Sequence, residues 1–219
     1  VMNNPTMPLT KGLINSFSYS IPGTLIPVFI SFFAGYGFAR FRFTGRTAII
    51  LFIASLFAVP IHAIIIPIYK MMVALNLVDT LAPLIIMHSS LAPIWLIPFF
   101  RNYILSLPID TEESAKIDGA STFRIVASIV LPLAVPAIIS AAVVQFVWSW
   151  NEFFMPLTLI YSPSNYTAVQ ILPKFRGEFL TDYGFLSAGS LLASLPSLLV
   201  FLAFQKHFAK GIAAWTSYR

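Results

Sequence analysis

Apolar residues gather along this chain in five stretches, at about 13–39, 47–69, 81–100, 126–148 and 185–204. Each can reach the roughly 20 residues needed to cross the hydrocarbon of a bilayer as a helix. The pattern therefore predicts five membrane-spanning helices. The polar segments between them carry unequal charge. Arg40-Phe41-Arg42-Phe43-Thr44-Gly45-Arg46 forms a short basic turn, residues 101–125 carry Arg101, Lys116 and Arg124 among four acids, and the last stretch is followed by Lys206, Lys210 and Arg219. Alternation puts these three segments on one side with nine Lys/Arg, against Lys11, Lys70, Lys174 and Arg176 on the other. Basic loops stay cytoplasmic, so the expected orientation has the start of the chain outside and its C-terminus in the cytoplasm. Trp148, Trp150 and Tyr161 flank the outer end of the fourth stretch, as interfacial aromatics do, and an outside loop covers about 150–184. No internal repeat or low-complexity run divides the chain, so residues 1–219 read as one all-α transmembrane domain.

Composition supports this reading. Hydrophobic residues make up 58% of the 219 positions and charged residues 10%, with mean hydropathy +0.85. Soluble domains are nearer a quarter charged, so lipid must serve as part of the solvent. The 16 Pro do not argue for disorder, because neighbouring helices satisfy the backbone groups that Pro frees in a membrane. The net charge of +5 fits basic cytoplasmic loops rather than a nucleic-acid partner. The absence of Cys excludes disulfides, thiolate metal sites and cysteine nucleophiles. Residues 1–11 are polar and contain Pro, unlike a secretory signal. They read as a loop entered midway, with the expectation of a truncated start.

The densest local signal lies between the third and fourth stretches. Pro108 precedes Asp110, and Glu113 follows Asp110 by three, a spacing that resembles a capping box. Gly119 suits the left-handed residue that ends a helix, and Ser121 can cap a second helix beginning Thr122-Phe123-Arg124-Ile125. The prediction is a rigid knob on the cytoplasmic face: a short helix, a sharp Gly turn and a second helix leading into the membrane.

These residues also match the loop of ABC importer permeases, which reads E-A-A, three residues, G, nine residues, I, one residue, L-P. Here it is Glu113-Ser114-Ala115, Gly119 and Ile129-Val130-Leu131-Pro132, with every spacing kept over 20 residues and Ser114 as the one departure. Gly35-Tyr36-Gly37-Phe38-Ala39-Arg40-Phe41, Trp150-Asn151-Glu152-Phe153 and Phe204-Gln205-Lys206-His207-Phe208 with Gly211 resemble the carbohydrate-uptake branch, and within it the smaller permease of the maltose-type pair. The resemblance implies the type I ABC importer permease fold. It implies a sixth span ahead of the five seen, and a prokaryotic cytoplasmic (inner) membrane location. It implies that the short helices dock on a separate ATPase whose ATP-driven closure rocks the permease between inward- and outward-facing states. In that setting Glu113 would make a charged contact with the ATPase, Ser114 and Ala115 would allow close packing, and Gly119 would set the turn after Asp118. Ile129, Leu131 and Pro132 would complete the pattern. The implied partners are two ATPase subunits, a second permease (a different chain or a copy of this one) and an extracytoplasmic solute-binding protein. ATP and Mg would sit on the ATPase, with no cofactor or metal on this chain.

Other polar residues have two readings each. His62 and His88 fall within the second and third stretches, where hydrogen bonding between helices outweighs a functional role. Gln145 and Asn151 could line a path for a hydrophilic solute or simply bond neighbouring helices. Residues 170–182 resemble the stretch that inserts into the binding protein, with Pro173, Lys174, Phe175, Arg176 and Gly177 at its centre; the alternative is a solvated surface loop. Asn165-Tyr166-Thr167 fits a glycosylation acceptor, a pattern too loose to carry weight. The chain holds no HExxH, no GxSxG and no GxxxxGK[ST], which argues against an intramembrane enzyme and leaves ATP to another subunit. A secondary transporter or channel is the stronger rival, but neither a repeat nor acidic residues at the midplane support one. A permease of the same type for a non-sugar solute stays open.

Overall fold

The computed structural model describes residues 9–175 and 183–216, with side chains as far as Lys206. Among these residues the fold is helical, without strands. The long elements are α1 (Leu9–Arg40), a continuous helix over Thr122–Trp150, and α11 (Tyr183–Thr216). The helix over Thr122–Trp150 comprises α7 (Thr122–Ile125), one π turn at Val126–Val130 and α8 (Leu131–Trp150).

The second and third predicted spans are not single straight helices. The second is α2 (Arg46–Ser55), extended by a 3-10 turn to Ala58, and then a 3-10 turn leading into α3 (Ile65–Ala74). The two halves are bent by 87°. The break falls at Val59–Pro60, where Pro60 is extended (ψ 115°) and has no N–H to continue a helix. The third is α4 (Ala82–Leu91) and α5 (Pro93–Ser106), bent by 42° at Ala92, with Pro93 opening the second half. Hydropathy reports how apolar a stretch is and says nothing of where it breaks; a proline marks where a break can fall, although α8 and α11 continue through Pro136 and Pro196. If each bent pair counts as one span, five elements can cross a membrane by length and composition. Shorter helices complete the chain: α6 (Asp110–Ile117), α9 (Phe154–Leu159) and α10 (Ala168–Ile171).

The described residues fall into two compact units. One comprises 9–26, 59–91, 144–175 and 183–202. Its core joins Tyr19, Met72, Leu84, Leu159 and Ile160. Trp150 belongs to this interior and not to an interface. It is fully buried, donates from Nε1 to the Ala193 carbonyl at 2.8 Å and packs on Phe17 and Phe146. Trp148 and Tyr161 are half exposed, as interfacial residues are.

The other unit comprises 27–58, 92–143 and 203–216. Ala134, Ala137 and Ala141 of α8 meet Val28 and Phe32 of α1 and Leu96 and Phe100 of α5. Small residues allow such close helix contact in lipid. Gly35 is a point of close approach, since a Cβ there would stand 2.7 Å from the Phe100 Cβ and 2.9 Å from the Arg101 backbone nitrogen. Outside these cores large apolar side chains face outward. Leu51 and Phe52 are each 64% exposed, and α2 has no buried residue, an arrangement that lipid or another membrane subunit can satisfy and water cannot.

Candidate functional site

The loop singled out by the sequence forms two short helices on a Gly turn. Leu107 is extended (ψ 141°), Pro108 follows, and α6 begins. Asp110 does not cap this helix. Ile109, itself in helical conformation, heads it; its carbonyl accepts from the Glu112 and Glu113 amides, and no side chain caps the end. The three carboxylates Asp110, Glu112 and Glu113 occupy the first turn instead, where the helix dipole favours negative charge. The Ser114 hydroxyl donates back to the Asp110 carbonyl.

At the other end Gly119 stands at φ 80°. The Ala120 amide donates to the Ala115 carbonyl at 2.9 Å and the Gly119 amide to Lys116 at 3.0 Å, the paired bonds of a Schellman ending. Ala115 and Ala120 both pack on the core of their unit, which supplies the apolar contact that accompanies this motif. Ser121 then caps α7, accepting from the Arg124 amide.

Helical rotation divides α6 into two faces. Glu112 and Ala115 point inward. Glu112 is only 2% exposed, and Arg40, itself 7% exposed, reaches it from the end of α1 through Nε and Nη2, both 2.8 Å from Oε1. Tyr36 donates to Oε2 at 3.2 Å, and Arg40 Nη2 donates also to the Leu107 carbonyl at 3.2 Å. Glu113, Lys116 and Asp118 are exposed, as is Ile117 at 87%, and on α7 Phe123 is 77% exposed. Of the remaining motif residues, Ile129 and Leu131 pack on the core while Pro132 is exposed near the head of α8. The sequence reading missed Tyr36, Arg40 and Glu112. The adjacency of Glu112 and Glu113 shows only that the two point about 100° apart on a helix; nothing local says that one of them is buried.

The residues read as a solute path separate. Gln145 is buried and donates to the Gly23 carbonyl at 3.4 Å, while Asn151, just past the end of α8, is exposed and donates back to the Val147 carbonyl in that helix. Glu152 accepts from the amides of Phe154 and Met155 at the head of α9. His62 is exposed and meets the Phe154 ring edge-on; the His88 ring stacks near Tyr19.

For the loop over about 150–175, Asp79 in the turn between α3 and α4 is a fastening point. Its carboxylate accepts from the Tyr161 amide, the Ser162 amide and the Ser162 hydroxyl, and these bonds, the Ser162 hydroxyl foremost, hold its pKa below the usual 3.8. Gln170, in a capping box with Thr167, ties the loop to the carbonyls of Pro156 and Ile160. Gln170 is buried and so presents no surface, whereas Pro173 and Lys174 are exposed, with Lys174 Nζ donating to the Tyr166 hydroxyl. Phe175 packs against α11 at Gly189. Arg176 and Gly177, and the rest of the stretch to Asp182, lie outside the described residues.

Residues 28–214 match the family described as "Binding-protein-dependent transport system inner membrane component". The chain is 41% identical over 215 residues to a probable ABC transporter permease protein of Pyrococcus horikoshii, covering 98% of this chain and 78% of that one. It is 34% identical to the osmoprotective compounds uptake permease protein of Synechocystis (93% and 69% covered). It is 33% identical to the arabinooligosaccharides transport system permease protein of Bacillus subtilis (92% and 71% covered). A chain from the crystal structure of a bacterial ABC transporter involved in the import of alginate shares the fold at TM-score 0.74 and 22% identity, covering 91% of this chain and 75% of that one. With its helices apolar enough for a membrane and this match over most of its length, the chain belongs to the inner-membrane permeases of binding-protein-dependent ABC importers.

Proposed function

We infer that this chain carries a carbohydrate across the cytoplasmic membrane by alternating access, driven by a separate ATPase that engages the α6–α7 loop. The observation that supports this most is the exposure of the α6–α7 loop: Glu113 and Lys116 are exposed on α6, and two large apolar side chains, Ile117 on α6 and Phe123 on α7, are 87% and 77% exposed. Large apolar side chains left exposed on a loop that also carries charge are suited to a protein partner. In this reading Glu113 supplies the charged contact, with Ser114 and Asp118 at its edge. Ala115 and Gly119 hold the shape of the turn, and Ile129, Leu131 and Pro132 join it to α8. ATP and Mg belong to the ATPase, present in two copies, and a second permease completes the membrane pathway. The loop around Pro173, Lys174 and Phe175, continuing to Arg176 and Gly177, receives the extracytoplasmic binding protein, and Asn151 is the better placed of the two path residues because it is exposed. The C-terminus lies in the cytoplasm, on the side of the basic loops.

The carbohydrate reading draws on the arabinooligosaccharide permease among the relatives; uptake of an osmoprotective compound is the second reading, favoured by the 34% identical relative of that name. Affinity purification in detergent tests the class, with ATPase, second permease and binding protein expected to co-purify. ATPase stimulation by the reconstituted complex across arabino-oligosaccharides, alpha-glucosides and lactose then tests the solute. Absence of any ATPase would overturn the class. Stimulation by osmoprotectants alone would overturn the sugar.

A further inference from the structure

The connection from α5 to α6 is a built hinge. Residues 107–109 link the two helices, with Leu107 extended and Pro108 lacking the N–H that would let the helix run on. A load applied to α6 would be taken up by rotation at this hinge unless something held both of its sides. Arg40 does so from a third element. One guanidinium nitrogen, Nη2, reaches the Leu107 carbonyl on the α5 side and, with Nε, the Glu112 carboxylate on the α6 side. Tyr36, one turn earlier in α1, holds the other carboxylate oxygen. The same stretch of α1 is pressed against α5 at Gly35.

We propose that Arg40 is a positioning residue that clamps the α5–α6 hinge shut, so that displacement of the coupling helix is delivered to the inner end of α1. The inference rests on the reading of α6 as the ATPase-facing element. A buried ion pair is weak evidence for stability, because desolvation offsets its attraction. What the planar guanidinium supplies is direction: several donors in one rigid plane, matched to acceptors on both sides of the hinge. Lysine keeps the charge but loses the fork.

Because this chain has no Cys, an introduced Cys is its one thiol, and the chain is labelled before assembly with its partner subunits. A bimane probe at Phe33→Cys, a half-exposed site on α1, reports movement of that helix on trapping with ATP and orthovanadate. Cross-linking from Ile117→Cys separately reports engagement of the ATPase. With Arg40→Lys, and with the near-isosteric Glu112→Gln, cross-linking should persist while the trapping-induced bimane shift falls about threefold or more, because charge survives in the first and shape in the second. A full shift in Arg40→Lys would overturn the clamp, since charge alone would then suffice. So would a loss of shift that merely tracks a loss of cross-linking in both variants. Failure of Ile117→Cys to capture an ATPase in the otherwise unaltered chain would instead bring down the functional reading, and the clamp with it.

Discussion

Glu112 and Glu113 are separated by one peptide bond and about 100° of helical rotation, and that rotation gives them opposite surroundings. Glu112 is enclosed by Arg40 and Tyr36; Glu113 faces outward. Glu112→Ala would leave the Arg40 guanidinium buried without its counter-charge, a change that costs about 3–5 kcal/mol, and a lower Tm in detergent is expected. Glu113→Ala should cost under about 1 kcal/mol, as exposed charges do, while weakening recovery of the ATPase in a pull-down. Equal thermal losses in the two variants would contradict the division of roles. The sequence motif identified Glu113 and passed over Glu112, because Glu112 acquires its meaning from Arg40, 72 positions away. No local pattern encodes that distance.

At the scale of elements, the turn between α6 and α7 is set by bonds between near neighbours along the chain, whereas the 160–165 loop is tied to a distant one, Asp79. Around Gly119 there is open space, so a Cβ would meet nothing within 4 Å, and the whole penalty of substitution comes from φ 80°. Gly119→Val should therefore cost about 1–2 kcal/mol locally and reorient α7 relative to α6. The complex is expected to assemble and hydrolyse ATP while solute uptake falls; normal uptake would show that the turn does not set coupling. The Asp79 latch carries a pH signature. Its folded pKa is lowered by the Ser162 and Tyr161 bonds, so its contribution is complete above the ordinary value of 3.8 and is lost as pH falls below that through the lowered value. Pepsin cleavage of the 160–165 loop should rise over that acidic interval, and Asp79→Asn should flatten the dependence. The Gly turn and the Ser121 cap were readable from sequence because each acts within five residues. The Asp79 latch was not, since it joins the α3–α4 turn to a loop 82 residues further on.

For the whole molecule, the basic segments make the orientation measurable. A membrane-impermeant maleimide should label Phe123→Cys only from the cytoplasmic face and Tyr161→Cys only from outside; the reverse would overturn the topology and the role given to α6. The five apolar stretches were legible because hydrophobic length is a property of local composition. That two of them bend, by 87° and 42°, follows from where Pro60 and Pro93 fall within them. The prolines were in view, but their consequence depends on whether neighbouring helices hold the chain straight. Trp150 shows the same limit: its position near the end of a span suggested an interface, and its packing on Phe17, Phe146 and Ala193 placed it in a core.

The sequence by itself determined that this chain needs lipid, which segments can cross it, where the Gly119 turn lies and which importer motif surrounds it, because hydropathy, turn chemistry and motif spacing are properties of neighbours along the chain. Only the tertiary structure decided which glutamate of the pair is buried, which arginine holds it and where the spans break. Those outcomes depend on groups brought together from distant parts of the chain, where burial makes each unpaired charge costly and so selects one partner over another.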